Sequence, residues 1–233
     1  MSRLSLMSVS GAVRLSTNIV MSEKPSRKAI IKLMLLVSLP LYIIDQLSKW
    51  WIVFNFKMPR IFEVNGVTYG YEDTRIMIEG FFNLVRRHNQ GAAFGIGNGT
   101  SWAPVVFLCV LVIALLAILF FWKRGSFTGP ARWSAPLLIA GILGNLTDRL
   151  FQGFWLLEFQ DADFWTRLSK GYVVDFLDFT IPIVDYRWPA FNVADSCITI
   201  SAILLFITAL MEGRQDFMNS KSSNTTPQNS RDD

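Results

Sequence analysis

The run of 21 residues from Trp102 to Trp122 contains no charged side chain, and it constrains the fold more than any other feature. As a helix rising 1.5 Å per residue it reaches about 30 Å, the thickness of a bilayer's hydrocarbon core. Three more apolar segments have comparable length: about Ile30 to Phe54, Trp133 to Phe151, and Phe191 to Met211. The whole chain is 52% hydrophobic and only 17% charged, whereas an ordinary soluble domain is about a quarter charged. A disordered chain, a disulfide scaffold and a soluble domain all fit poorly. The expected fold class is all-α integral membrane, with four transmembrane helices.

Basic residues set the orientation. Lys24, Arg27, Lys28 and Lys32 precede or open the first segment, Lys123, Arg124 and Arg132 connect the second and third, and Arg214 follows the fourth. The positive-inside rule then puts both termini in the cytoplasm and loops 55–101 and 152–190 outside. The net charge of +4 is better read as topology than as a phosphate footprint, so no nucleic-acid partner is expected. Residues 1–28 read as a flexible basic extension without the apolar core of a cleavable signal peptide, and Met21 opens a second start-like segment. Residues 29–213 form the membrane domain, and the polar stretch 214–233 is expected to be disordered. In the first outer loop Asn65-Gly66 lies between alternating residues, a hairpin signal, and Phe81-Phe-Asn-Leu-Val-Arg86 reads as a strand. A small β-cradle at the outer interface is expected.

The scarce polar residues inside the spans are more informative. Asp45 lies roughly 22 Å along the first span, Asp148 roughly 24 Å beyond Arg132, and Asp195 roughly 27 Å above Arg214. All three therefore fall in the outer third of the membrane, and Asp is too short to snorkel far. Asp45 shares a helical face with Lys49, Asn145 with Asp148 and Arg149, and Asn192 with Asp195. Gly141 and Gly144 permit close helix approach there. The same spacing also suits a purely structural network. Cys109 and Cys197 sit inside apolar runs and read as packed hydrophobes. A single His, His88, leaves little basis for a His-built metal site, and no cofactor is expected.

Loop 152–190 adds Tyr172-Val-Val-Asp-Phe-Leu-Asp-Phe179, a strand-like stretch. Asp175 and Asp178 would face opposite sides of it, so at most one points toward the spans. A carboxylate delivered beside Asp195 makes a pair that shares one proton. The ionised member then accepts a proton from attacking water while the protonated member hydrogen-bonds the carbonyl oxygen. No Ser or Cys nucleophile with a base is apparent.

Five stretches in this order resemble the lipoprotein signal peptidases (signal peptidase II). They are Asp45-Gln-Leu-Ser-Lys49; Phe81-Phe-Asn-Leu84 with Asn89-Gln-Gly-Ala-Ala-Phe-Gly95; Gly141-Ile-Leu-Gly-Asn-Leu-Thr-Asp-Arg149; Val173-Val-Asp-Phe176; and Phe191-Asn-Val-Ala-Asp-Ser196. The resemblance implies a bacterial inner-membrane aspartyl endopeptidase that cuts diacylglyceryl-modified prolipoproteins before the lipidated Cys, a monomer among membrane phospholipids. It implies Asp175 and Asp195 as the catalytic dyad, with Asn89, Gly91, Asn145, Arg149 and Asn192 lining the site and Asp45 and Lys49 supporting it. Asp148 is the second candidate acid, with a structural ion pair to Arg149 preferred. The chain departs from the family in two places: extra sequence around Asn65-Gly66 and Tyr69 to Asp73, and a long aromatic link between Arg149 and Val173. That link is expected to lie on the membrane surface and shape substrate entry. Gly95-Ile-Gly-Asn-Gly99 lacks the Lys-Ser/Thr of a phosphate loop and reads as an ordinary loop. Against a proton-coupled transporter stand the absence of a repeat and acids gathered toward one surface. A structural or assembly protein fits the matched Asp–Asn pairs less well, and a lipid acyltransferase would want a nucleophile or His base.

Overall fold

The structure is a computed structural model that describes residues 26–64, 67–91, 100, 102–124, 127 and 129–223. Residues 1–25 of the basic extension 1–28, Asn65-Gly66 of the hairpin signal, residues 92–99 with the glycine-rich motif, and residues 224–233 lie outside the described residues.

Helix α1 (Arg27–Leu33) passes through a π-helical stretch, Met34–Ser38, into α2 (Leu39–Asn55). Pro40 accounts for the widening, because its ring lacks an N–H and collides with the carbonyl four residues earlier. Four strands follow: β1 (Arg60–Val64), β2 (Val67–Tyr71), β3 (Thr74–Ile78) and β4 (Phe82–Asn89). Then come α3 (Ala103–Lys123), α4 (Ser134–Phe151), short 3-10 turns at Gln152–Trp155 and Leu157–Phe159, and α5 (Phe164–Ser169). The described residues close with β5 (Val173–Ile181), β6 (Tyr186–Arg187) and α6 (Val193–Ser223).

Among the described residues, three helical segments are long and apolar enough to cross a membrane: Ile31–Asn55, Ala103–Lys123 and Val193–Arg214. Helix α4 is shorter, at 18 residues, and its last two turns hold Asn145, Asp148 and Arg149. It packs against α2, α3 and α6, and those side chains are buried. Gly141 and Gly144 make the approach possible. A Cβ at Gly144 would meet Asp45 Oδ2 at 2.5 Å and the Ala194 methyl at 2.9 Å, and one at Gly141 would meet Ala194 O at 2.5 Å. Ser38 Oγ donates to Pro136 O at 2.8 Å, tying the π-helical stretch to α4. Cys109 is exposed, Cys197 is buried, and both are free.

The chain is mostly helical with a small antiparallel sheet rather than wholly α. β1 and β2 pair as a hairpin from Arg60↔Tyr71 to Val64↔Val67, and a separate sheet has the order β3-β4-β5-β6. The central β4–β5 pair runs from Phe82↔Phe179 to Asn89↔Val173, with a bulge between Leu84 and Arg87. It joins the helices through a core of Ile52 from α2, Phe56 just beyond its end, Leu156, and Tyr172, Val174 and Phe176 around β5. A second core of Ile118, Ala135, Ile139 and Ile142 seals α3 against α4. Helix α6 runs on through 214–223, so the polar composition of that stretch does not break the backbone at Gly213. Extending a nucleated helix costs little per residue.

Candidate active site

Helix α2 carries Asp45 and Lys49 one turn apart, and helical spacing stacks them on the face that meets α4. Lys49 Nζ lies 2.8 Å from Asp45 Oδ2 and 3.0 Å from Asp148 Oδ2, and it donates to Asn145 Oδ1 at 2.9 Å. Lys49 is 0% exposed, Asp45 and Asp148 1% each. Asp148 therefore pairs with Lys49 rather than with Arg149. Adjacent residues of a helix point about 100° apart, so a neighbour in sequence is not a neighbour in space. The acids also reach other elements, Asp45 through its second oxygen and Asp148 through the same oxygen that meets Lys49. Ala194 N–H donates to Asp45 Oδ1 at 2.8 Å, and Val174 N–H to Asp148 Oδ2 at 3.1 Å. This single cluster ties α2 and α4 to the start of α6 and to β5.

Asp175 and Asp195 meet beside that cluster. Asn89 Nδ2 donates to Asp175 Oδ2 at 3.0 Å, and Asn192 Nδ2 to Asp175 Oδ1 at 2.8 Å. Asn145 Nδ2 donates to Asp195 Oδ1 at 2.8 Å. Asn192 also spans the pair, because its backbone N–H donates to Asp195 Oδ2 at 3.2 Å while its side-chain oxygen accepts from Asp195 N–H at 2.9 Å. That reciprocal exchange is a capping box, so Asn192 precedes α6 rather than sharing a helical face with Asp195. Asn followed three residues later by Asp is a signal the sequence carries openly. Burial, and then the nearby Asp195 charge, push the Asp175 carboxyl well above the usual carboxylate range.

Arg149 closes the inner side. Its guanidinium donates to Gln90 O at 3.1 Å and Gly91 O at 2.5 Å, and it lies over the Phe107 ring. Gly91 N–H in turn donates to Asn89 Oδ1 at 3.0 Å, so Arg149 steadies the strap that presents Asn89. A small cavity of about 170 Å³ reaches Asn89, Gly91, Asn145 and Arg149 from within. A larger one of about 1000 Å³ opens on the other side of Asp175 and Asp195, walled by Tyr186, Trp188 and Phe191 and by Ile198 and Ile200 of α6. Ile200 is exposed, so this cavity borders the surface of a candidate span.

Three features escape a reading of the sequence. Gln46 donates to Asp45, to Gly144 O and to Asp148 at 3.1 to 3.2 Å, and only its place between Asp45 and Lys49 hinted at this. Asp178 is fully buried like Asp175 but belongs to another cluster. Arg187 binds it at 2.7 and 3.0 Å, Asn83 donates at 3.1 Å, and Glu72 links Arg187 to Arg87. Both acids of the strand are buried because the Arg187 and Asn83 side chains of the neighbouring strands β6 and β4 close over Asp178. His88 stacks on Tyr172 with centroids 3.8 Å apart and accepts from Arg86 Nε at 3.1 Å. Burial, then the Arg86 charge, push it down to about 3, so it is a neutral packing residue. Among the described residues no three His, Cys, Asp or Glu side chains gather as a metal site.

Comparison with known proteins bears on this arrangement directly. A family profile described as Signal peptidase (SPase) II matches residues 37–211, which includes every residue named above in the two buried clusters. A lipoprotein signal peptidase of Syntrophomonas wolfei is 32% identical over 76% of this chain and 92% of its own length. One from Ralstonia nicotianae is 38% identical over 64% of this chain and 74% of its own. A bacterial membrane enzyme solved by the in meso method at 2.3 Å resolution superposes with a TM-score of 0.56 and 28% identity, covering 86% of this chain and 96% of that one. With sequence match and fold agreeing over the same span, the chain belongs to the signal peptidase II family.

Proposed function

We propose that this protein is a membrane aspartyl endopeptidase that removes signal peptides from diacylglyceryl-modified prolipoproteins, cutting before the lipidated Cys. One observation carries the reading: two carboxyls from different elements, Asp175 and Asp195, are bridged by one residue, Asn192, at the foot of a cavity beside a candidate span. Amides that donate to both acids hold them close despite their like charge.

In this scheme Asp175 carries the shared proton and Asp195 is ionised. Water held between them attacks the scissile carbonyl carbon, giving a proton to Asp195, while the Asp175 proton goes to the carbonyl oxygen. The resulting diol collapses as Asp175 takes back a hydroxyl proton and the leaving nitrogen takes one from Asp195, so that the C–N bond breaks, a carboxyl and an amine leave, and the dyad returns to its starting state. Asn89, Asn145 and Asn192 position the dyad, Arg149 and Gly91 position Asn89, and the Asp45–Lys49–Asp148 cluster fixes the helices.

Helix α4 completes four spans, shielded enough by its neighbours to tolerate its polar turns. Basic flanks argue for cytoplasmic termini in a bacterial inner membrane, with residues 29–213 as the peptidase unit and the site toward the outer face. A lipidated substrate then arrives laterally among phospholipids, and a monomer suffices.

Asp175→Asn and Asp195→Asn test the dyad, since each keeps the side chain's size and removes the titrating group. Conversion of a lipidated precursor by either variant should fall at least about a hundredfold. Normal conversion by either well-expressed variant sinks the assignment.

A further inference from the structure

The link between α4 and β5 exposes an unusual set of side chains. Phe151 is 56% exposed, Trp155 60%, Leu157 76%, Phe164 57% and Trp165 73%. The segment is nevertheless firmly built. Leu156 and Phe159 plug the core around Ile52, Phe56 and Tyr172. Asp163 caps α5 by accepting from Trp165 N–H at 2.9 Å and Thr166 N–H at 3.1 Å, and Arg167 donates to Phe154 O at 2.5 Å. A Cβ at Gly153 would collide with Arg167 O and one at Gly171 with Arg149 O, so the start of the link is pressed against α5 and its end against α4. A packed platform that keeps its largest apolar groups outside is built to meet an apolar medium.

Continuity with the spans identifies that medium. The Trp155 ring meets Trp50 of α2 edge-on, with centroids 5.3 Å apart, and Trp50 stacks on Phe54 at 5.5 Å. Phe54 and Trp51 are themselves exposed on the last turns of a membrane-length helix. The apolar surface of the link therefore extends the side of α2 at its C-terminal end. Interleaved exposed acids, Glu158, Asp161 and Asp163, rule out full immersion. Trp and Phe mixed with charge at the end of a span is the composition of the headgroup boundary.

We propose that residues 151–165 form a rigid foot seated in the phospholipid interface at the C-terminal end of α2, with Leu157 and Trp165 dipping into acyl chains and Asp161 in water. The foot ends just before β5, the strand that carries Asp175. The proposal is independent of the chemistry assigned to that residue, and its test uses no substrate.

The full chain carrying Cys109→Ser and Cys197→Ala is given Leu157→Cys, Trp165→Cys or Asp161→Cys, labelled with a nitroxide and reconstituted in phosphatidylethanolamine–phosphatidylglycerol vesicles. Collision with oxygen and with a water-soluble nickel chelate is read by power saturation, with Leu116→Cys on α3 as the lipid-facing reference. The oxygen-to-nickel ratio should be several-fold higher at 157 and 165 than at 161, approaching that at 116. If either 157 or 165 is as open to the nickel chelate as 161, the foot is not in the lipid and the surface awaits a protein or nothing. Labelling one position per variant keeps the test free of any single variant that fails to fold.

Discussion

Lys49→Met would strand two buried carboxylates. At an effective dielectric constant of 20, each Lys49 pair, at 2.8 Å and 3.0 Å, has a gross attraction of about 6 kcal/mol. Much of that is offset by the cost of removing three charges from water. Removing one partner of a buried pair therefore typically destabilises by about 3–5 kcal/mol. Near-isosteric Met keeps the packing, so the loss would be electrostatic. For a chain of this size that corresponds to a fall in Tm of roughly 6–20 °C, read by a thiol-independent unfolding assay in detergent. Adding Asp45→Asn and Asp148→Asn to Lys49→Met should recover part of the loss, because no charge then remains unpaired. Asp148→Asn alone should lower the yield of folded protein more than the processing rate of each folded molecule. A Lys49→Met protein that melts within about 2 °C of the parent, below one kcal/mol on the same scale, would refute a structural role for the cluster.

Three further outcomes are expected. Gly144→Ala should cost about 1–3 kcal/mol, since its methyl would press on Asp45 and Ala194, whereas Gly213→Ala, with open space around it, should be neutral or slightly stabilising; paired melting curves separate them. Folded Asp175 binds its proton more tightly than the unfolded chain does, so its penalty is absent below about pH 4 and grows as pH rises toward its raised value. Asp175→Asn should therefore raise Tm at neutral pH while abolishing processing, and an unchanged or lower Tm would contradict the burial argument. His88 has the opposite sign: the unfolded chain takes up a proton below about pH 6.5 while the folded chain resists until about 3. Acidification through that window should cost up to about 1.4 kcal/mol per pH unit, and His88→Gln should flatten the fall in Tm between pH 7 and 5.

Periodicity and depth made much of the spans and of the inner cluster legible. The apolar run of α3 is unmistakable, and the spacing of Asp45 with Lys49 and of Asn145 with Asp148 puts each pair on one face because an α-helix repeats locally. Partners across elements were not legible on the same basis. Nothing local says that Asp148 turns to Lys49 and away from Arg149, that Gln46 bridges the two acids, or that Asp178 is buried beneath Arg187. Strands β3 and β6 were missed because short edge strands carry little pattern of their own, and β6 holds its place through contacts with β5.

The sequence by itself determined that the chain is oily, where its charges are scarce, and which five motifs it carries, because hydrophobic length and helical spacing are properties of neighbours along the chain. Only the tertiary structure decided that Asn192 spans Asp175 and Asp195, that the aromatic link is a packed platform, and that the 1000 Å³ cavity opens beside a candidate span. Those facts depend on how α4 wedges against α2 and α6 through Gly141 and Gly144, and contacts such as those between residues 17 and 149 positions apart are written in packing rather than in any local pattern.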